Sequence, residues 1–324
     1  MSWTFCPHRL SFRAALLALA CWAAAAATAT EFRLVDDFSE AAVAAEVYAE
    51  QFQPEKVLLV VDIDNTVLAM DEPLGSEQWF DWQVFLLKNR PKSPDLVANS
   101  FAGILEVQGR LYDRGPMHPP QDDLPAIVRR IQDAGVAAVV LTSRGEDFRA
   151  ATERELARNG YDFARTALAT RDREDSLYMP YDPTAPAAAG VSAREVSALK
   201  LEKPQQVSYR NGIMMTSGQH KGIMLVTLLH RAAEPIEAVI FVDNRADHVA
   251  GVIDQMQEEG IAATGLVYTR EDNQIKAFMY GSKAEVVAQW RATHGELREP
   301  VGEPRVRVSS PKRGRVFGRR IFCR

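Results

Sequence analysis

What most constrains this chain is a series of short, unbroken apolar runs, each followed by a helix-forming stretch. Leu58–Val61 is apolar throughout, as are residues 136–141 and the run inside IEAVIFVDNRAD. A strand with one wet face alternates apolar and polar side chains; a strand without alternation is buried on both faces. Residues 36–52 have apolar positions at helical spacing and no Pro or Gly. Further helices are predicted at 95–111, 123–134, 146–159, 220–232, 247–258 and 282–293, with one entered by Ser76 as its cap. AATGLVYTR reads as another strand, residues 163–169 as a weaker one, and Asn211-Gly212 as the turn of a hairpin. Continuous strands alternating with helices predict an α/β fold, a mainly parallel sheet covered on both faces.

Two segments interrupt the alternation. Residues 69–120 read as a helical insertion that follows the strand at 56–61, and residues 170–216, rich in Pro, Ala and charge, as a possible second one. The core is then 30–68 with 121–300. The ends differ from the body. Arg9 and Arg13 precede an Ala/Leu-rich run and Ala27-Thr28-Ala29, so 1–29 reads as a signal peptide and the chain as periplasmic or secreted. Lipidation at Cys21 is the lesser alternative, because Ala18 and Trp22 suit a lipobox poorly. Of Cys6, Cys21 and Cys323 only the last survives cleavage, which excludes an internal disulfide. Residues 301–324 carry +7 and are expected to be disordered. With +2 in the signal segment, the net charge of −5 leaves about −14 for residues 30–300, so no nucleic-acid partner is expected. No second apolar run suggests a stable membrane span, and the oligomeric state is open.

Polar residues cluster where the strands end. Asp62 and Asp64 follow the first run, Thr142 ends the second, Lys221 opens a helix, and Asp243 with Asp247 follows VIFV. In an open parallel sheet, ligands bind along the carboxyl edge of the strands. Residues far apart in sequence therefore converge there, and paired acids with a hydroxyl and an ammonium suit a metal ion and a phosphate.

This set resembles the haloacid dehalogenase superfamily, and within it the phosphatases and an exported bacterial subgroup. Asp62-Ile63-Asp64-Asn65-Thr66 is similar to that family's first motif, Thr142 to its second, Lys221 to its third, and Asp243-Asn244-Arg245-Ala246-Asp247 to its acidic fourth. The resemblance covers roughly residues 55–270. It implies a Rossmann-like three-layer α/β/α core with a helical cap insertion, and a Mg²⁺-dependent phosphomonoesterase acting on a small-molecule phosphoester. Asp62 would be the nucleophile that forms an aspartyl-phosphate, and Asp64 the general acid and then base. Thr142 and Lys221 would hold phosphoryl oxygens, and Lys221 can also pair with Asp62 or Asp243. The metal would take the Asp62 and Asp243 side chains and the Asp64 backbone carbonyl, with Asp247 as an outer ligand or a partner of metal-bound water. The fourth motif departs from the common form in having Asn244 beside Asp243, which leaves open whether Asn244 or Asp247 supports the metal. A phosphotransferase or phosphomutase of the same chemistry, and a non-catalytic binding protein of this fold, are the alternatives.

Neighbouring residues have ordinary readings. Arg144 is expected to satisfy a loop or a carboxylate, its sharper reading being a contact with substrate; His220 is expected to cap a helix, its sharper reading being a proton carrier. The aromatic group Trp79, Phe80, Trp82 and Phe85 is expected to pack helices together; its sharper reading is a lid over substrate.

Overall fold

Val57–Val61, a strand of five fully buried aliphatic residues, is the centre of the molecule. The computed structural model describes residues 31–171 and 177–297. Its main sheet has seven strands in the order β1-β9-β8-β2-β5-β7-β6. These are β1 (Glu31–Val35), β2 (Val57–Val61), β5 (Ala137–Thr142), β6 (Ser208–Arg210), β7 (Ile213–Met215), β8 (Ala238–Asp243) and β9 (Ala262–Tyr268). Two further short strands, β3 (Ala69–Met70) and β4 (Met117–His118), form a separate ribbon. Every pairing in the main sheet is parallel except β6 with β7.

The absence of alternation in these strands has the expected cause. Leu59, Val61, Val140, Ile240 and Val242 point into one core, shared with α1 (Ser39–Phe52) and α4 (Leu124–Asp133). Leu58, Val60, Val139, Leu141 and Phe241 point into a second core on the other face, shared with α7 (Lys221–Arg231) and α8 (Ala246–Glu258). Successive side chains of a strand face opposite ways, so a layer on each side demands apolar residues at every position. The fold is α/β and three-layered, as the sequence predicts.

Residues 69–120 leave and rejoin the core through the β3–β4 ribbon, where Ala69 faces His118 and Met70 faces Met117. Between them lie α2 (Glu77–Asn89) and α3 (Phe101–Arg114), capped by the Ser76 and Ser100 hydroxyls, which accept from Trp79 N and Gly103 N. The second helix starts later than 95 because residues 91–100 run through turns and extended backbone. Trp79 is fully buried, and Phe80 and Trp82 pack around it, edge-on to Phe101 and Phe278, while Phe85 is exposed. The packing reading of these aromatics therefore describes their contacts.

Several boundaries differ from expectation. Residues 163–169 contain a 3₁₀ turn at Ala164–Thr166 and no strand, because the parallel neighbour of β5 is β7. β1 was hidden in EFRLV, a short edge strand with exposed Phe32 and Leu34. A helix at Asp272–Tyr280 (α9) also went unpredicted; with α10 (Ala284–Leu297) it supplies Phe278, Val286 and Trp290 to the insertion's own cluster. The residues after β9 thus serve the insertion more than the sheet. The hairpin falls at Asn211-Gly212, both at positive φ (53° and 73°), as a twisted two-residue turn needs. The signal segment and the basic tail lie outside the described residues. Among the described residues no helix is long and apolar enough to cross a membrane. The remaining helices are α5 (Arg149–Arg158) and α6 (Ala193–Ala198).

Gly222, beside Lys221, sets how closely α7 approaches α8. A Cβ built there meets the Gly251 carbonyl oxygen at 2.3 Å. Gly222→Ala is expected to lower the unfolding free energy by roughly 1–3 kcal/mol, as overpacking does, read from the shift of the urea midpoint.

Candidate functional site

The centre of the site is an ammonium between two carboxylates. Lys221 Nζ donates to Asp62 Oδ1 at 2.5 Å and to Asp243 Oδ2 at 2.6 Å, and all three side chains are buried. Each comes from a different element. Asp62 continues β2, its N–H still bonded to Val242 O at 2.9 Å; Asp243 ends β8; Lys221 begins α7. Because β2 and β8 are in register, with Val61 opposite Val242, the two acids leave the sheet side by side.

Asp64 faces another cation. Arg144 donates through Nε to Oδ2 at 2.9 Å and through Nη2 to Oδ1 at 2.7 Å, the two-pronged geometry of a guanidinium on a carboxylate. Tyr112, from α3 of the insertion, donates its hydroxyl to Asp64 Oδ1 at 3.1 Å, and its ring lies 4.0 Å from the Arg144 guanidinium carbon. Arg144 also reaches Thr152 Oγ1 at 2.9 Å, which fixes the base of its fork. Thr142 is buried at the end of β5, its hydroxyl oxygen accepting from Arg144 N at 3.2 Å.

The turn after Asp62 is tight. Ile63 O accepts from the N–H groups of Thr66, Val67 and Leu68, and Asn65 sits at φ 57°, a conformation that asparagine tolerates better than most residues. Thr66 Oγ1 accepts from Asn244 N at 3.0 Å, tying this turn to the end of β8. Glu77, at the start of α2, joins both: its Oε2 accepts from Asn65 Nδ2 at 2.8 Å and from Asn244 Nδ2 at 2.9 Å.

Charge in the site is unequal. Asp62, Asp64, Glu77 and Asp243 gather around Lys221, Arg144 and Arg245. Burial, with help from Asp243 and Asp64, pushes Asp62 up to about 6 despite Lys221. Burial and the charges of Asp62 and Asp64 push Glu77 up to about 8. For Asp243, burial is outweighed by Lys221 and by His248, whose Nδ1 lies 3.1 Å from Oδ2, so it is held below the usual range. Burial of Lys221 is likewise outweighed by Asp243 and Asp62, and the ammonium keeps its charge. Burial and Asp64 hold the Tyr112 phenol protonated, so it remains a donor.

These residues suit a small hard cation. The donors are oxygens, the carboxylates outnumber the cations, and the buried Asn244 Oδ1 beside Asp243 has no hydrogen-bond partner. Among the described residues no three His, Cys, Asp or Glu side chains stand close enough to hold an ion by themselves. A site here would use two carboxylates, Asp62 and Asp243, with the Asp64 backbone carbonyl and water, the sparing set that Mg²⁺ accepts. The structure does not bring Asp247 into this group. Its side chain is 70% exposed and lies 3.4 Å from Arg245 Nε.

His220 does what the sequence predicts, its Nδ1 accepting from Ile223 N at 3.3 Å as the cap of α7. Arg144 satisfies a carboxylate, and that carboxylate is Asp64. Sequence reasoning passed over Tyr112 and Glu77. Ser76 signals a helix start, so an acid one residue later reads as an ordinary first-turn residue, and Tyr112 reads as one more residue of α3's inner face. Beside the Lys221 end of the site opens a cavity of about 560 Å³, bounded by Ser143, by the starts of α7 and α8, and by residues 199–203.

Comparison with known proteins finds that the family described as "Protein of unknown function (DUF2608)" matches residues 34–299. The chain belongs to this family. The match takes in the insertion and all of α9 and α10, and it begins within β1. A protein of Chlamydia pneumoniae described as "Putative outer membrane protein" is 21% identical over 221 residues, covering 68% of this chain and 72% of its own length. No solved structure matches the chain.

Glu77 generates a prediction about stability in metal-free buffer. A carboxyl raised in the folded state binds its proton more tightly there than in the unfolded chain. Stability therefore falls as pH rises from about 4.5 through 8, and the loss persists above. Glu77→Gln keeps an acceptor oxygen and removes the titration. Between pH 5 and pH 9 the variant is expected to gain roughly 1–3 kcal/mol relative to the unaltered protein, the raised pKa being discounted for a side chain 21% exposed. Denaturant melts at the two pH values measure it, and parallel curves would contradict it.

Proposed function

We propose that the protein is a Mg²⁺-dependent phosphomonoesterase that works through an aspartyl-phosphate on Asp62, in the manner of the haloacid dehalogenase phosphatases it resembles. The observation that carries this reading is the buried Asp62–Lys221–Asp243 bridge at the carboxyl edge of the two central strands. Asp62 attacks phosphorus in line, the bond to the ester oxygen breaks, and Asp64 protonates the departing alkoxide. Water then attacks the aspartyl-phosphate, Asp64 takes its proton, and phosphate leaves with Asp62 restored. The Asp62 and Asp243 side chains and the Asp64 carbonyl would hold Mg²⁺, which would supply the positive charge that lets an anion approach an anion.

The Arg144 fork adds a step of its own. The fork engages both Asp64 carboxylate oxygens. An incoming phosphoryl group competes for the same guanidinium. As Arg144 turns to phosphoryl oxygens, the Asp64 carboxyl is freed to face the leaving oxygen, with Tyr112 keeping it in place. Thr142 and Lys221 hold the remaining oxygens. The insertion closes over the site as a cap whose Tyr112 and Glu77 reach inward. Export to the periplasm or beyond, after cleavage behind Ala29, completes the reading, and the description of the Chlamydia pneumoniae relative accords with it.

Three substitutions test the scheme with p-nitrophenyl phosphate and Mg²⁺. Asp62→Asn is expected to lower kcat by more than roughly a thousandfold with an unchanged circular dichroism spectrum; metal-dependent turnover in that variant would defeat the mechanism. Arg144→Lys, which keeps charge and loses the fork, is expected to lower kcat/KM by roughly a hundredfold. Asp243→Asn is expected to raise the Mg²⁺ concentration for half-maximal rate by roughly tenfold or more, while Asp247→Asn leaves it nearly unchanged; equal effects from the two would assign Asp247 to the metal after all.

A further inference from the structure

The cavity beside Lys221 is lined mostly by residues the reaction scheme does not use. Its far wall is the segment that follows α6. That wall is fixed at two points: Tyr181 donates its hydroxyl to Leu201 O at 2.8 Å, and the Gln219 side-chain amide accepts from Gln205 N at 2.9 Å and donates to Gln205 O at 3.0 Å. Lys203 lies between these anchors and Lys200 just before the first, and both line the cavity. Neither ammonium has a carboxylate partner among the described residues.

Lys200 occupies an unusual backbone position. Leu201 N bonds to Val196 O at 2.8 Å and Lys200 N to Ser197 O at 3.4 Å, the double closure that ends a helix, with Lys200 at φ 57° where glycine normally sits. A lysine at this point places a cation at the cavity rim although a smaller residue would suit the backbone better. The starts of α7 and α8 open on the same space, adding the positive ends of two helix dipoles. The one carboxylate in the lining, Asp247, is engaged with Arg245. Within an acidic body this is a locally positive enclosure, of a size that suits a small metabolite. It meets the proposed reaction centre at Lys221 and at Ser143, next to Thr142.

From the juxtaposition of Lys200 and Lys203 across this cavity from Lys221, we infer that it binds the leaving portion of a small polar substrate that carries a second phosphate. The inference rests on the phosphatase reading for the first phosphate only. One phosphate sits at Asp62, the polar carbon skeleton fills the cavity, and the second phosphate meets the two lysines. Specificity then lies with residues 181–203 rather than with the aromatic insertion.

Calorimetric titration of the Asp62→Asn protein, which does not consume its ligand, compares fructose 6-phosphate with fructose 1,6-bisphosphate. The bisphosphate is expected to bind roughly tenfold or more tightly, the strength of one or two charge-assisted hydrogen bonds. Adding Lys200→Ala and Lys203→Ala together is expected to erase that difference, and Lys200→Arg with Lys203→Arg to keep it, thermal melts showing that each variant folds. Equal affinity for the two sugars, binding of neither, or a preference that survives the double alanine variant overturns the inference, even if the unaltered protein hydrolyses p-nitrophenyl phosphate. A lysine-dependent preference in a protein that hydrolyses nothing would instead uphold the second-phosphate site and defeat the phosphatase reading.

Discussion

One buried ammonium holds the site together. Lys221 is 2% exposed and contacts one carboxylate from each of the two central strands. Charges taken out of water are costly, and an ion pair repays that cost only when its geometry is good and its partners are complete. Here the geometry is imposed by the sheet: parallel register sets Asp62 beside Asp243, and the close contact of α7 with α8 at Gly222 sets where Lys221 can begin. Losing either acid would leave the lysine a single carboxylate partner and an unfilled donor in a dry place, and losing the lysine would leave two repelling carboxylates. The cluster therefore couples the ends of β2, β8 and α7 more tightly than apolar contact alone would.

A second, looser cluster surrounds it. Arg144, Tyr112 and Asp64 form a unit in which the insertion contributes the phenol and the core contributes both charges. Glu77 ties α2 to the turns that follow β2 and β8. The insertion is thus attached to the site by polar bonds as well as by the β3–β4 ribbon, and the C-terminal helices pack against its other side. Access to the site is then governed by two sequence-distant parts of the chain, the insertion with α9 and α10 on one side and the segment around α6 on the other.

How much of this could be read from the sequence follows from the nature of the signals. Strands buried on both faces were legible because short aliphatic runs recur between helix-forming stretches, and the acids that end them stand out against that background. The Asn211-Gly212 turn was legible for a similar reason, since few residue pairs tolerate two positive φ angles. β1 was not, because five residues at a sheet edge with polar positions carry no pattern. The partners of Asp64 were hidden because Tyr112 and Arg144 are unremarkable where they occur, and only the folded chain shows that α3 and the end of β5 meet. Asp247 was drawn into the metal set by its four-residue spacing from Asp243, but α8 turns it outward to Arg245 and solvent.

The position of β1 has a consequence for how the chain reaches this state. Glu31 pairs with Thr264 and Val35 with Tyr268, so among the described residues the first strand of the sheet finds its only neighbour in the last. Loop closure over such a separation is slow, and folds rich in distant pairings gain little until the whole chain is present. A chain that emerges from a ribosome or a channel amino end first must keep its opening strand waiting while more than two hundred residues follow. The β1 edge of the sheet is completed only once β9 has emerged, which leaves the newly started chain open until then.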